Sequence, residues 1–128
     1  MTRLTAAAAA ILSLALGACD DSPPPAPDRL AQHCRAALGW MVKGQGDITI
    51  FKTISWQVEQ TYNISLIYGL DGEGVEDRPR RFIQCRYDAT EAPKARPAAR
   101  AIDMGGRDLS AKQVQAINVH ISLIGTAD

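Results

Sequence analysis

The spacing of apolar residues changes near Asp47, and the change dictates what the chain can fold into. Before it, Leu30, Cys34, Ala37, Leu38 and Met41 recur at steps of three and four, which lines one face of an α-helix. Asp28 is placed to cap that helix and Gly44 to end it. After it the step falls to two. Ile48, Ile50, Ile54, Trp56 and Val58 alternate with polar residues except at Phe51, and Tyr62, Ile64, Leu66 and Tyr68 alternate again, which predicts two strands turning near Gln60. Helices and strands with one apolar face each must bury those faces against one another, so the fold class is α+β.

The remaining elements follow the same reasoning. Asp71-Gly72-Glu73-Gly74 and Pro79 mark a longer connection, after which Arg81 to Tyr87 forms a third strand with Ile83, Cys85 and Tyr87 on one face. Residues 89–99, rich in Ala, Pro and charge, read as a loop, and Arg100 to Met104 adds a short strand before the Gly105-Gly106 turn. Ser110 and Gln113 fit a capping box, and Leu109 with Val114 fits the hydrophobic staple. Val114, Ile117, Ile121 and Ile124 continue a helical stripe up to Gly125, which predicts a helix from Ser110 to Ile124. Ile117, Val119, Ile121 and Leu123 also alternate with Asn118, His120 and Ser122, so residues 117–124 keep a strand reading open. The expected architecture is two helices packed on one face of a three- or four-stranded antiparallel sheet.

The first residues have a different character. Met1 to Thr5 carries one charge, Arg3, and residues 6–16 are apolar apart from Ser13, the layout of a secretory signal. The run is shorter than the roughly 20 residues a membrane span needs. It ends in Leu16-Gly17-Ala18-Cys19, which resembles the lipobox of bacterial lipoproteins, over residues 1–19 only. The resemblance implies diacylglycerol on the Cys19 sulfur, cleavage after Ala18, and stable anchoring by two or more acyl chains. It divides the chain into a signal peptide (1–18), a lipidated cysteine with a Pro-rich tether (19–27) and a globular domain (28–128). The alternative is a secreted protein cut after Gly17, because Ala15 and Gly17 fit the small-x-small rule.

Residues 20–27, with Asp20, Asp21 and a run of prolines, favour extended polyproline II and would hold a domain roughly 25 Å from a bilayer when fully extended. An aspartate after the lipidated cysteine resembles the inner-membrane retention signal of enteric lipoproteins, so Asp20 points to the inner rather than the outer membrane. Localisation on the periplasmic side of the bacterial cell membrane follows from the resemblance.

Cysteine count bears on the same question. Of three cysteines, lipid on Cys19 leaves Cys34 and Cys85 as a pair in an oxidising compartment. Both lie on apolar faces, so a disulfide between them would clamp helix to sheet. Two separate buried thiols are the alternative.

The chemistry-bearing residues are few. Basic and acidic residues balance at 14 each, so nothing suggests nucleic acid as a partner. His33 and His120, the only histidines, read as solvated surface and have no metal-ligand spacing around them. Asp71, Glu73, Glu76 and Asp77 crowd one loop and could offer oxygens to calcium, though their order is not that of an EF-hand and a solvated turn is the simpler account. Arg78, Arg80, Arg81 and Arg86 follow. Arg80, Arg81 and Arg86 form a candidate anion site, with pairing to the preceding acids as the plainer reading. Trp40, Trp56, Tyr62, Tyr68 and Tyr87 read as core filling rather than as a pocket lining.

No catalytic set and no cofactor motif emerges. The reading is therefore a membrane-anchored envelope lipoprotein, non-enzymatic, acting as a protein-interaction or accessory module toward an envelope protein. The alternative is a binder of a small anionic ligand or cell-wall fragment.

Overall fold

The computed structural model describes residues 26–74 and 81–124. The leader, Cys19, Asp20 and Pro23 to Pro25, together with Glu76, Asp77, Arg78, Pro79, Arg80 and Gly125, lie outside the described residues. The elements are α1 (Ala26–Met41), β1 (Ile48–Val58), β2 (Thr61–Leu70), β3 (Arg81–Asp88), a 3-10 turn (Ala89–Glu91), β4 (Ala101–Met104), β5 (Arg107–Asp108) and α2 (Ala111–Ile124). The strands form one antiparallel meander in the order β1-β2-β3-β4-β5. The α+β class and two-layer packing are as expected. The sheet has five strands rather than three or four because the Gly105-Gly106 turn, with φ of 61° and 93°, folds Arg107 and Asp108 back along Asp103 and Met104.

The core lies between the helices and one face of the sheet. Leu30, Cys34, Ala37 and Leu38 of α1 are buried, as the steps of three and four require. They meet Ile64, Leu66, Tyr68 and Leu70 of β2, Ile83, Cys85 and Tyr87 of β3, and Ile102 of β4. α1 begins at Ala26 rather than at Asp28, so Asp28 lies in the first turn instead of capping it, and Pro27 is tolerated there because first-turn amides need no helical acceptor.

α2 opens with the capping box in full. The Ser110 amide donates to Gln113 Oε1 at 2.9 Å and the Gln113 amide donates to Ser110 Oγ at 3.1 Å. The element stays helical to Ile124, which removes the strand alternative. Ile117 and Ile121 are buried while Val119 and Leu123, their companions in the alternating pattern, face solvent. Asn118 fastens this helix to the loop before β4. Its Oδ1 accepts from the Ala99 amide at 2.9 Å and its Nδ2 donates to the Ala99 carbonyl at 2.8 Å, the two bonds that a neighbouring strand would make.

β1 departs from expectation. A bulge between Ile50 and Lys52 inserts Phe51 without a partner, so the facing of the strand reverses there. Ile48 and Ile50 pair with Leu70 and Tyr68 on the helix side, but Ile54, Trp56 and Val58 pair with Ser65, Asn63 and Thr61 on the open side. Trp56 is therefore 40% exposed instead of filling the core, and Trp40 on α1 is also 40% exposed rather than core-filling, whereas Tyr68 and Tyr87 are buried as expected and Tyr62 is half-buried.

Cys34 and Cys85 are joined in a disulfide, with Cα atoms 5.9 Å apart and a sequence separation of 51, tying α1 to β3. Closing a loop of that length stabilises the fold by about 4 kcal/mol in the chain-entropy model. The Cys34→Ala, Cys85→Ala double variant should lose roughly that much in urea unfolding. A loss below about 1 kcal/mol would show that packing alone holds the layers together.

Candidate functional site

The buried groups come first, since catalysis would need an unusual environment. His33 is only 1% exposed, so the sequence expectation of a solvated His33 is corrected. The buried arc of α1 takes in Ala31 and His33 beside the apolar stripe, and His33 meets β3 at Tyr87. His33 Nδ1 lies 2.7 Å from the Tyr87 hydroxyl, and the rings meet edge to face with centroids 5.4 Å apart. Burial pushes the Tyr87 phenol well above its ordinary pKa, so it stays protonated and can donate to Nδ1. His33 Nε2 is buried with no hydrogen-bond partner. Burial lowers the His33 pKa to about 4, against a small raising effect from Glu91. A neutral imidazole sealed from solvent cannot meet a substrate, so this pair is structural.

His120 is half-buried, its ring 3.9 Å from that of Trp40. The Lys43 ammonium lies 6.0 Å from the Trp40 ring, at the limit of a cation–π contact. Among the described residues no three His, Cys, Asp or Glu side chains gather where a metal could sit.

The arginines do not converge. Arg81 reaches Glu73 as a fork, Nε to Oε1 at 2.8 Å and Nη2 to Oε2 at 3.2 Å, while Glu73 Oε1 also accepts from the Leu70 amide at 2.8 Å. These bonds hold the Glu73 carboxyl below its ordinary pKa, Arg81 foremost. Arg81 pairs with Tyr68 on the helix side of the sheet. Arg86 pairs with Asn63 and Ala101 on the open side, exposed. Arg80 lies outside the described residues, so Arg81 and Arg86 are the members that can be placed, and they occupy opposite faces.

What the structure does bring together is an apolar strip on the open face of β1. Ile54, Trp56 and Val58 are 37%, 40% and 57% exposed, and their neighbours across the strands are Ser65, Asn63 and Thr61. Phe51, Ile67 and Phe82, half-buried, extend apolar character toward the other end of the same face, where Phe51 lies over Gly69. β1 is also an end strand of the sheet, so one row of its backbone groups points away from β2. The sequence pattern alone sets Ile48, Ile50, Ile54, Trp56 and Val58 on one face, so the strip is not visible in it. The signal of the bulge is Ile50-Phe51-Lys52, two apolar neighbours followed by a charge where the alternation calls for an apolar residue. Among the described residues no helix is long and apolar enough to cross a membrane.

In comparisons with known proteins, no family model, no curated protein and no solved structure matches the chain. Its geometry offers an exposed apolar strip on one face of an α+β domain.

His33 generates a pH dependence. Its folded-state pKa, about 4, lies below the ordinary 6.5, so the unfolded chain binds its proton first as pH falls. Its contribution is full above pH 6.5 and is lost progressively toward pH 4, about 3 kcal/mol in all. Urea unfolding of wild type between pH 7 and pH 4.5 should show this decline, and His33→Gln should flatten it. Equal slopes in the two proteins would show that His33 is not the titrating group.

Proposed function

We propose that this chain is a bacterial lipoprotein, anchored through lipid on Cys19 at the periplasmic side of the cell membrane, whose domain serves as a non-enzymatic interaction or accessory module for an envelope protein. The observation that carries it is the run Leu16-Gly17-Ala18-Cys19 at the end of an apolar leader, in a chain whose other two cysteines are joined to each other. Cys19 is thus the cysteine left over for lipid. Asp20 directs the same reading toward the inner membrane. The interaction role is supported by the uncovered strip of Ile54, Trp56 and Val58, since exposed apolar side chains grouped on one face mark contact surfaces. Binding of a small anion has less support, with Arg81 engaged by Glu73 and Arg86 on the opposite face.

Two measurements test the two halves of the proposal. Cys19→Ser should move the protein from salt-washed membranes to the soluble fraction, and continued membrane retention would reject the anchor. Cross-linking of the natively expressed protein in intact cells, followed by capture and mass spectrometry, should enrich one envelope protein. That enrichment should weaken with Trp56→Ser. A reproducible blank would reject the accessory role.

A further inference from the structure

The outer edge of β1 has a symmetry of its own. β1 and β2 are joined by the two-residue turn Glu59-Gln60, which makes Val58 and Thr61 the closing pair and places Glu59 at φ 54°. In such a hairpin the closing residues bond each other, so Val58, Trp56, Ile54 and Lys52 direct their amides and carbonyls toward β2. Those of Thr53, Ser55 and Gln57 then point outward, along the end of the sheet. The bulge at Phe51 stops this regular stretch at one end and the turn stops it at the other. The outward-pointing residues are therefore centred on Ser55.

We propose that β1 pairs antiparallel with β1 of a second copy of this chain across a two-fold axis at Ser55, joining the two sheets into one. In that register Ser55 faces Ser55 of the second copy, and Thr53 faces its Gln57, each pair exchanging both backbone bonds. No outward group between Thr53 and Gln57 is left unpaired. On the open face Ile54 stands opposite Trp56 of the second copy, and Trp56 opposite its Ile54, so two apolar cross-strand pairs form from side chains that are 37% and 40% exposed in the single chain. Charge agrees with the register. Lys52 and Glu59 are the charged residues of this stretch, and neither is in an ion pair among the described residues. The pairing sets Lys52 opposite Val58 of the second copy with Glu59 next to it, and keeps the two lysines at opposite ends. The inference does not depend on the lipid anchor.

The test reads the register directly, with full-length protein expressed in intact cells and treated with a short bifunctional maleimide. Residues paired across a hydrogen-bonded site have Cα atoms about 5.5 Å apart, whereas like residues two places from the axis are separated by about 14 Å. Ser55→Cys should give a covalent dimer of this chain. Thr53→Cys and Gln57→Cys should give at least five-fold less, each yield taken above that of wild type so that Cys19 does not count toward it. Ile54→Lys, at an exposed position, should cut the Ser55→Cys dimer at least five-fold. Equal yields from the three cysteines, no dimer from Ser55→Cys, or a Ser55→Cys adduct with a different protein would each overturn the proposal. The last result would leave the accessory role of the preceding section standing.

Discussion

Everything in this domain is arranged around the covalent contact of α1 with β3. Cys34 and Cys85 lie at 0% exposure in the middle of the two apolar faces, so the bridge fixes which part of the helix stands over which part of the sheet. The next contact along is His33 with Tyr87, one residue before Cys34 and two after Cys85. Burying an imidazole is costly unless it stays neutral and finds a partner, and the phenol supplies one on Nδ1. A domain of roughly 100 residues buries a limited apolar area, so a cross-link worth several kcal/mol is a large part of its margin. It also shifts the burden away from perfect packing. That is consistent with a core holding one unpartnered polar atom, His33 Nε2, beside the disulfide.

The second constraint is the extra residue at Phe51. In a strand whose facing has a period of two, one inserted residue sends everything beyond it to the other side. Ile48 and Ile50 therefore share the helix-side face, where Ile50 packs against the core and Ile48 stays exposed, while Ile54, Trp56 and Val58 lie on the other face, although all five satisfy one alternating pattern when Phe51 is passed over. The inner positions that result, Thr53, Ser55 and Gln57, are polar and exposed, and Arg35 on α1 reaches Thr53 Oγ1 at 3.5 Å. The sequence of β1 thus fits the bulged strand on both faces. Its first half serves the fold, and its second half presents a surface.

Legibility tracks how local the determining physics is. α2 could be read from four side chains, because the capping box and staple act within one helical turn, and its stripe of Val114, Ile117 and Ile121 is the buried one. The stripe of α1 and the inward pattern of β2 and β3 were equally plain, and with them the pairing of Cys34 to Cys85. What could not be read depended on neighbours distant in sequence. His33 is buried against Tyr87 of β3, with Glu91 of the following turn close by. Trp40 finds its aromatic neighbour in His120, on α2. The separation of Arg81 from Arg86 follows from strand parity, five positions being an odd number, which was available but outweighed by their nearness in sequence.

The two ends of the sheet differ, and the difference bears on what the domain does. β5 ends one side as a strand of two residues, too short to template another chain, and α2 begins directly after it. β1 ends the other side over eleven residues. Long edges invite pairing and are usually blunted by a charge or a bulge, and β1 has both, Lys52 and Phe51, placed next to each other in its first half. From Thr53 to Gln57 neither device is present. A strand guarded over one half and plain over the other restricts pairing to a single short window, and within that window the outward backbone groups are symmetric about Ser55. Restriction of this kind favours one register over many, which separates a specific contact from indiscriminate edge-to-edge association.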